Sequence, residues 1–253
     1  DIAEQRPSNT IVTNNLIHSY SQLYTVYNAA VSTYGCGFTV SHNEIYDAPH
    51  EAIAFNSGLT LIEYNYIHDV CDETSDAGAV YTGRRWDWGG NEIRYNYICD
   101  VIDKTHGGYP NGIYLDDTLA FQHVYGNIVV NVGGVGITGG GITNCRIENN
   151  VVCKAKVHSF YDNNNAIGAL CWNTLYPDGS VWKNVEPFMN TYLWRYTYPS
   201  LGIMVENNEV HYGSTSPIIN IGGFPGFNFW VNNVVYDCDS VSYVIYKGHE
   251  ETI

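Results

Sequence analysis

Short runs in which polar and apolar residues alternate recur along the whole chain, and no segment sustains a 3.6-residue period. One set of runs covers residues 59–64, 91–95, 145–148 and 202–206. A second set, at 52–55, 78–81, 112–115 and 136–138, opens on a small residue each time: Ala52, Gly78, Gly112 and Gly136. Runs of three to five residues with period two predict short strands, two or three of them per unit with sharp corners between.

The first set of runs leads into a repeated tripeptide. Asn, any residue, then Ile or Val occurs at Asn15, Asn43, Asn65, Asn96, Asn127, Asn150, Asn208 and Asn233, with steps of 28, 22, 31, 31, 23, 58 and 25 residues. Repeats of this length predict a stacked architecture. Leucine spacing excludes a leucine-rich repeat, and propeller blades need longer, regular units. The pattern therefore predicts an all-β fold, a right-handed parallel β-helix (a solenoid) with loop excursions, over residues 1–253 as one domain. No linker or low-complexity segment divides it. At a corner the Asn amide can bond backbone and the Asn of the next turn. The Ile or Val two positions on then points inward. Aligning Gly78 with Gly112 predicts interior stacks of Ile53, Ala79, Ile113 and Ile137, with Phe55, Tyr81 and Leu115 two positions further. The first copy begins by residue 15, so the reading expects missing N-terminal coils or a cap, or a covering domain or subunit at the open end.

Steps longer than about 22 residues require loops outside the stack. These fall at 71–76, 82–90 and 103–110, on adjacent turns, and in a large excursion at 154–201. Solenoid loops commonly carry the binding site. Carboxylates are dense there. Asp47, Asp69 and Asp100 share one place after the repeat and are read as bonding corner backbone. Asp76 and the Asp116–Asp117 pair bracket strands on neighbouring turns. Paired carboxylates are what glycoside hydrolysis needs: one protonates the leaving oxygen, the other attacks the anomeric carbon or activates water. Their separation is about 5 Å for retention and roughly 6.5–9.5 Å for inversion. The Gly78–Gly112 alignment sets Asp76 opposite Pro110 and Asp116 opposite Thr82, so a bend must bring the pair together.

Composition narrows the partner. The chain has 11 basic and 26 acidic residues, a net charge of -15. That disfavours nucleic acid and anionic membranes, and makes acidic polysaccharides a poor match. Neutral sugars fit better, and 22 Tyr and 6 Trp supply rings that stack on sugar faces, though aromatics also favour strands. No apolar run spans a membrane. Seven cysteines are an odd count without zinc-site spacing, and are read as small core residues. No metal or cofactor motif appears.

The segment from Asp76 to Arg84 (Asp-Ala-Gly-Ala-Val-Tyr-Thr-Gly-Arg), with Trp86, Gly90-Asn91 and residues 93–96, resembles the parallel β-helix glycoside hydrolases. The similarity continues at residues 112–117 (Gly-Ile-Tyr-Leu-Asp-Asp) and 125–127, and is closest to the fucosidase/xylanase-like branch beside the β-xylosidases. It covers about 40–150. The resemblance implies a glycoside hydrolase with an acidic pair, Asp76 and Asp117, with Asp116 kept beside the latter. It leaves open which is the acid. Members often read Gly-Arg-Asp where this chain has Gly83-Arg84-Arg85. Expected substrate contacts are His50, Glu73, Tyr81, Arg84, Trp86, His106 and Trp172, with Trp88 a further stacking platform. Each has an ordinary alternative: a surface Arg, a core Trp, a polar loop His. The expected activity is cleavage of O-glycosidic bonds in a neutral or hemicellulose-type glycan, secreted, periplasmic or at a cell surface. A polysaccharide lyase is the alternative, weakened by few bases near 71–117. A non-catalytic glycan-binding or structural β-helix is the third reading.

Overall fold

The computed structural model is a parallel β-helix. It describes residues 6–163 except 86, 117, 118, 141 and 143, and beyond them chiefly the strands within 204–251. Each turn contributes three strands, one to each of three faces. The first face stacks Thr10–Thr13, Phe38–Ser41, Leu61–Glu63, Asn91–Arg94, Gln122–Tyr125 and Arg146–Glu148. The second stacks Leu16–His18, Glu44–Ala48, Tyr66–Val70, Tyr97–Val101, Ile128–Val132 and Val151–Ala155. The third stacks Val31–Cys36, Ile53–Gly58, Gly78–Gly83, Asn111–Asp116, Val135–Gly140 and His158–Asn163. Neighbouring turns pair in parallel throughout these faces.

The interior is a set of β-branched columns. Val40, Ile62, Ile93, Val124 and Ile147 stack from the first face, all with 0% exposure. The Ile or Val of the tripeptide forms the second column: Ile45, Ile67, Ile98, Val129 and Val152. Burying each such side chain contributes about 1.5–3 kcal/mol relative to leaving it in water. Cys36, Cys71 and Cys99 are buried free thiols, as the core reading expects.

On the third face the register differs from the sequence expectation. Asn111, not Gly112, lies beside Gly78, and Ile53, Val80, Ile113 and Ile137 form the column. A one-residue shift exchanges the faces of every side chain. Tyr81 therefore leaves the interior and stands on the outer surface beside Tyr114.

The Asn corner behaves as the tripeptide predicts. Each Asn Oδ1 accepts both the backbone N–H and the Nδ2 of the Asn on the turn before, from Asn15 through Asn43, Asn65, Asn96, Asn127 and Asn150 to Asn233, at 2.9–3.1 Å. The second Nδ2 hydrogen goes to a first-face carbonyl, as Asn96 does to Ile62 at 3.0 Å. Asn208 lies outside the described residues. Asn233 follows Asn150 directly because Phe229–Val231 pairs with Arg146–Glu148, and Met204–Glu206 pairs on its far edge. Pairing here follows register rather than chain order.

Two further expectations change. Residues 154–163 belong to the stack, since His158–Asn163 pairs with Val135–Gly140; the rest of the expected 154–201 excursion lies outside the described residues. Asp47, Asp69 and Asp100 do not serve corner backbone. They adopt φ of 56°, 49° and 56°, with Asn131 at 56° in the same place. Asp and Asn tolerate this left-handed conformation better than most residues. Their side chains bond other side chains, such as Asp47 with Ser19 Oγ (2.6 Å) and Asp100 with Asn131 Nδ2 (2.6 Å).

Asn96→Ala removes the central amide and strands its buried partners, so urea unfolding is expected to show a loss of roughly 2–4 kcal/mol. Asn15→Ala, at the exposed end of the ladder, is expected to cost less than about 1 kcal/mol. Equal losses at the two positions would contradict this account of the corner.

Candidate functional site

The outer surface of the third face carries a polar cluster on the loop-bearing turns. In Asn111–Asp116, Ile113 and Leu115 point inward, so Tyr114 and Asp116 point out. Asp116 is nevertheless only 6% exposed. A carboxylate this dry requires donors. Tyr81 Oη donates to Asp116 Oδ2 at 3.0 Å, and Arg84 Nε lies 3.4 Å from the same oxygen. Tyr114 interacts with this carboxylate through its hydroxyl. Two glycines make room. A Cβ on Gly83 would lie 2.6 Å from Asp116 Cβ, and one on Gly78 2.7 Å from Tyr114 Cβ.

Asp76 is exposed and stands just before Gly78–Gly83. Its charge reaches Tyr114, as does that of Asp116. Burial, then Asp116, then Asp76 push the Tyr114 phenol far above its ordinary range. Burial and then Asp116 do the same to Tyr81. Both phenols thus stay protonated and act as donors over the working pH range.

The loops at 71–76 and 103–110 leave the stack on adjacent turns and meet. A side chain on Gly108 would collide with Ser75. Lys104 N–H donates to Asp72 O at 2.8 Å, and Lys104 Nζ lies 3.3 Å from Asp69 Oδ1. Asp103 organises the second loop. Its Oδ1 accepts from Thr105 N (2.9 Å), His106 N (2.8 Å) and Thr105 Oγ1 (3.1 Å), and its Oδ2 from Gly108 N (2.8 Å). Burial opposes this charge, but the backbone donors from His106, Thr105 and Gly108 prevail and hold the pKa at about 2.

The expected contact residues scatter around this centre. Arg84 lies in it, holding the carboxylate, and Tyr81 lies in it through the register shift. Glu73 is exposed on the 71–76 loop, and His106 is exposed on the 103–110 loop. His50 does not face a groove. It is 1% exposed, with Nδ1 3.7 Å from Glu51 Oε2 and Tyr27 against its ring. Trp88 belongs to the core and is no platform. Asp117, Trp86 and Trp172 lie outside the described residues. Tyr114 is absent from the sequence-based candidates, although strict alternation between Ile113 and Leu115 marks it as outward. Among the described residues no group of three or more His, Cys, Asp or Glu is placed to hold a metal ion. Also among them, no helix is long and apolar enough to cross a membrane.

Comparison with protein-family models finds no match, and comparisons with curated proteins and with solved structures find none either.

The depressed Asp103 pKa has a signed consequence. The folded value of about 2 lies below the ordinary 3.8, so the stabilisation is complete above about 3.8 and is lost as pH falls through about 2. Its size is roughly 2–3 kcal/mol, felt mainly in the loop. Amide-exchange protection at Thr105, His106 and Gly108 is expected to fall across that window. Asp103→Ala is expected to show low protection already at pH 5; unchanged protection in that variant would remove Asp103 as the organiser.

Proposed function

We propose that the protein is a glycoside hydrolase that cleaves O-glycosidic bonds of a neutral or hemicellulose-type glycan with two carboxylates. The observation that carries this reading is Asp116, a dry carboxylate on the outer face of the loop-bearing turns that accepts from Tyr81 and faces Arg84. That arrangement suits an ionised group whose lone pairs are aimed. In this reading Asp116 attacks the anomeric carbon or takes the proton of the water that does, and Asp76, in its protonated form, protonates the leaving oxygen as the C–O bond breaks. The positive charge growing on the sugar ring is balanced by the Asp116 carboxylate. Tyr81 and Tyr114 orient that carboxylate and offer ring edges to the sugar.

The resemblance of 76–96 and 112–117 to β-helix glycoside hydrolases supports the same reading, with Asp117 as the alternative partner of Asp76. The acidic balance, -15, supports a neutral substrate over a uronate polymer. Action outside the cytoplasm, on secreted or surface-bound glycan, accompanies the proposal.

A panel of aryl glycosides tests it. Asp116→Asn and Asp76→Asn are each expected to lower kcat/KM by about 10²–10⁴-fold while the fold persists by circular dichroism. Full activity in Asp76→Asn would sink the assignment of the pair, and product absorbance near the unsaturated-uronate band would favour a lyase instead.

A further inference from the structure

The start of the third face carries a depression of about 500 Å³ that the two-carboxylate centre does not use. Tyr109, Asn111, Gly134, Val135, Lys156 and Val157 line it. Its walls are tied together. Gly134 N–H donates to Pro110 O at 2.7 Å, and Val157 N–H donates to Gly134 O at 3.0 Å. Any side chain on Gly134 would collide with the Tyr109 carbonyl. Tyr109 is 55% exposed, with Lys156 Nζ 5.4 Å from its ring centroid. Asn111 Oδ1 accepts the Val135 N–H at 2.9 Å, which fixes the carboxamide and leaves Nδ2 without a hydrogen-bond partner among the described residues.

This depression continues the centre described above. Asn111 N–H donates to Ala77 O at 2.8 Å, and Gly108 packs on Ser75. Ser75 and Ala77, on either side of Asp76, thus pack on the 108–111 segment that lines the depression. Tyr114 and Asp116 follow on the strand that Asn111 opens. From Asn111 to Asp116 the strand spans roughly 17 Å at about 3.3 Å per residue. That length exceeds one sugar ring.

We propose that the depression is a second sugar subsite, which takes a neutral pyranose unit of an oligosaccharide whose scissile bond lies beside Asp116. The proposal rests on the glycosidase reading for the place of cleavage. The subsite itself rests on its lining. Val135, Val157 and the Tyr109 ring present apolar surface that matches the C–H face of a pyranose. Asn111 Nδ2, at the polar edge, donates to a ring hydroxyl, and the Lys156 ammonium sits over the Tyr109 ring. No carboxylate is among the six lining residues, so in this acidic protein the depression is a place where hydroxyls meet donors.

The test uses the whole chain, with xylotetraose and its aryl glycoside as the long probes and an aryl xyloside as the short one. The ratio of kcat/KM for the long glycoside over the short one is expected to fall about tenfold in Tyr109→Ala and severalfold in Lys156→Met. Both substitutions alter side chains at exposed positions, and melting curves check that each variant folds. An unchanged ratio in both variants overturns the subsite while leaving the glycosidase reading intact. Absence of turnover of either glycoside by the unaltered protein overturns the glycosidase reading instead. Calorimetric binding of xylotetraose then decides the subsite alone. Binding that is lost in Tyr109→Ala supports it, and binding that is absent or equal in both proteins overturns it.

Discussion

A carboxamide ladder at one corner, exposed at Asn15 and buried from Asn43 to Asn233, joins turn to turn, and the remaining architecture depends on that junction. Only a side chain with both a carbonyl oxygen and an NH₂ group can accept two bonds from one neighbour and donate to another neighbour and a carbonyl. Asn65 does all of this: its Oδ1 accepts from Asn43, and its Nδ2 donates to Asn96 and to Val40 O. Asp lacks the donor, Gln is a methylene too long for the same bend, and an apolar residue would strand buried backbone groups. Because the amide fixes the corner, the residue two positions on is fixed inward, and the β-branched columns follow. Corner and column thus come from one tripeptide.

The same rigidity sets the stage for chemistry outside the prism. Strand spacing of about 4.8 Å places outward residues of adjacent turns in contact. That is how Tyr81 on one turn reaches Asp116 on the next. Gly83 permits the approach by having no Cβ. The loops leave the stack where the step lengthens to 31 residues, and Asp103 and Lys104 bind the later loop to itself and to the earlier one. The exposed Asp76 and the covered Asp116 owe their different surroundings to this layout: one stands on a loop rim, the other under two phenols and a guanidinium.

Particular residues show how far the chain could be read in advance. Period-two alternation with a recurring Asn marks the solenoid, because a carboxamide ladder needs the same residue on each turn. Tyr81 shows the limit. Aligning two glycines, Gly78 with Gly112, is natural, yet the pairing sets Gly78 against Asn111, and one residue of slip carries Tyr81 from the core to the surface. His50 and Trp88 show another limit. A polar or aromatic residue near a loop has no period to say whether it is covered, and both are buried. Asp47, Asp69 and Asp100 were recognisable as equivalent, but their common cause is a backbone angle that side-chain chemistry does not display.

The amino-acid sequence by itself determined the β-helix, the Asn corner, the inward Ile and Val columns, and the turns from which loops emerge. Each of these is a local pattern repeated, and repetition makes local preference add up. Only the tertiary structure decided which carboxylate is dry, which phenols serve it and where a depression adjoins the strand that carries it. Those depend on register between strands about 30 residues apart, where a shift of one position reverses inside and outside.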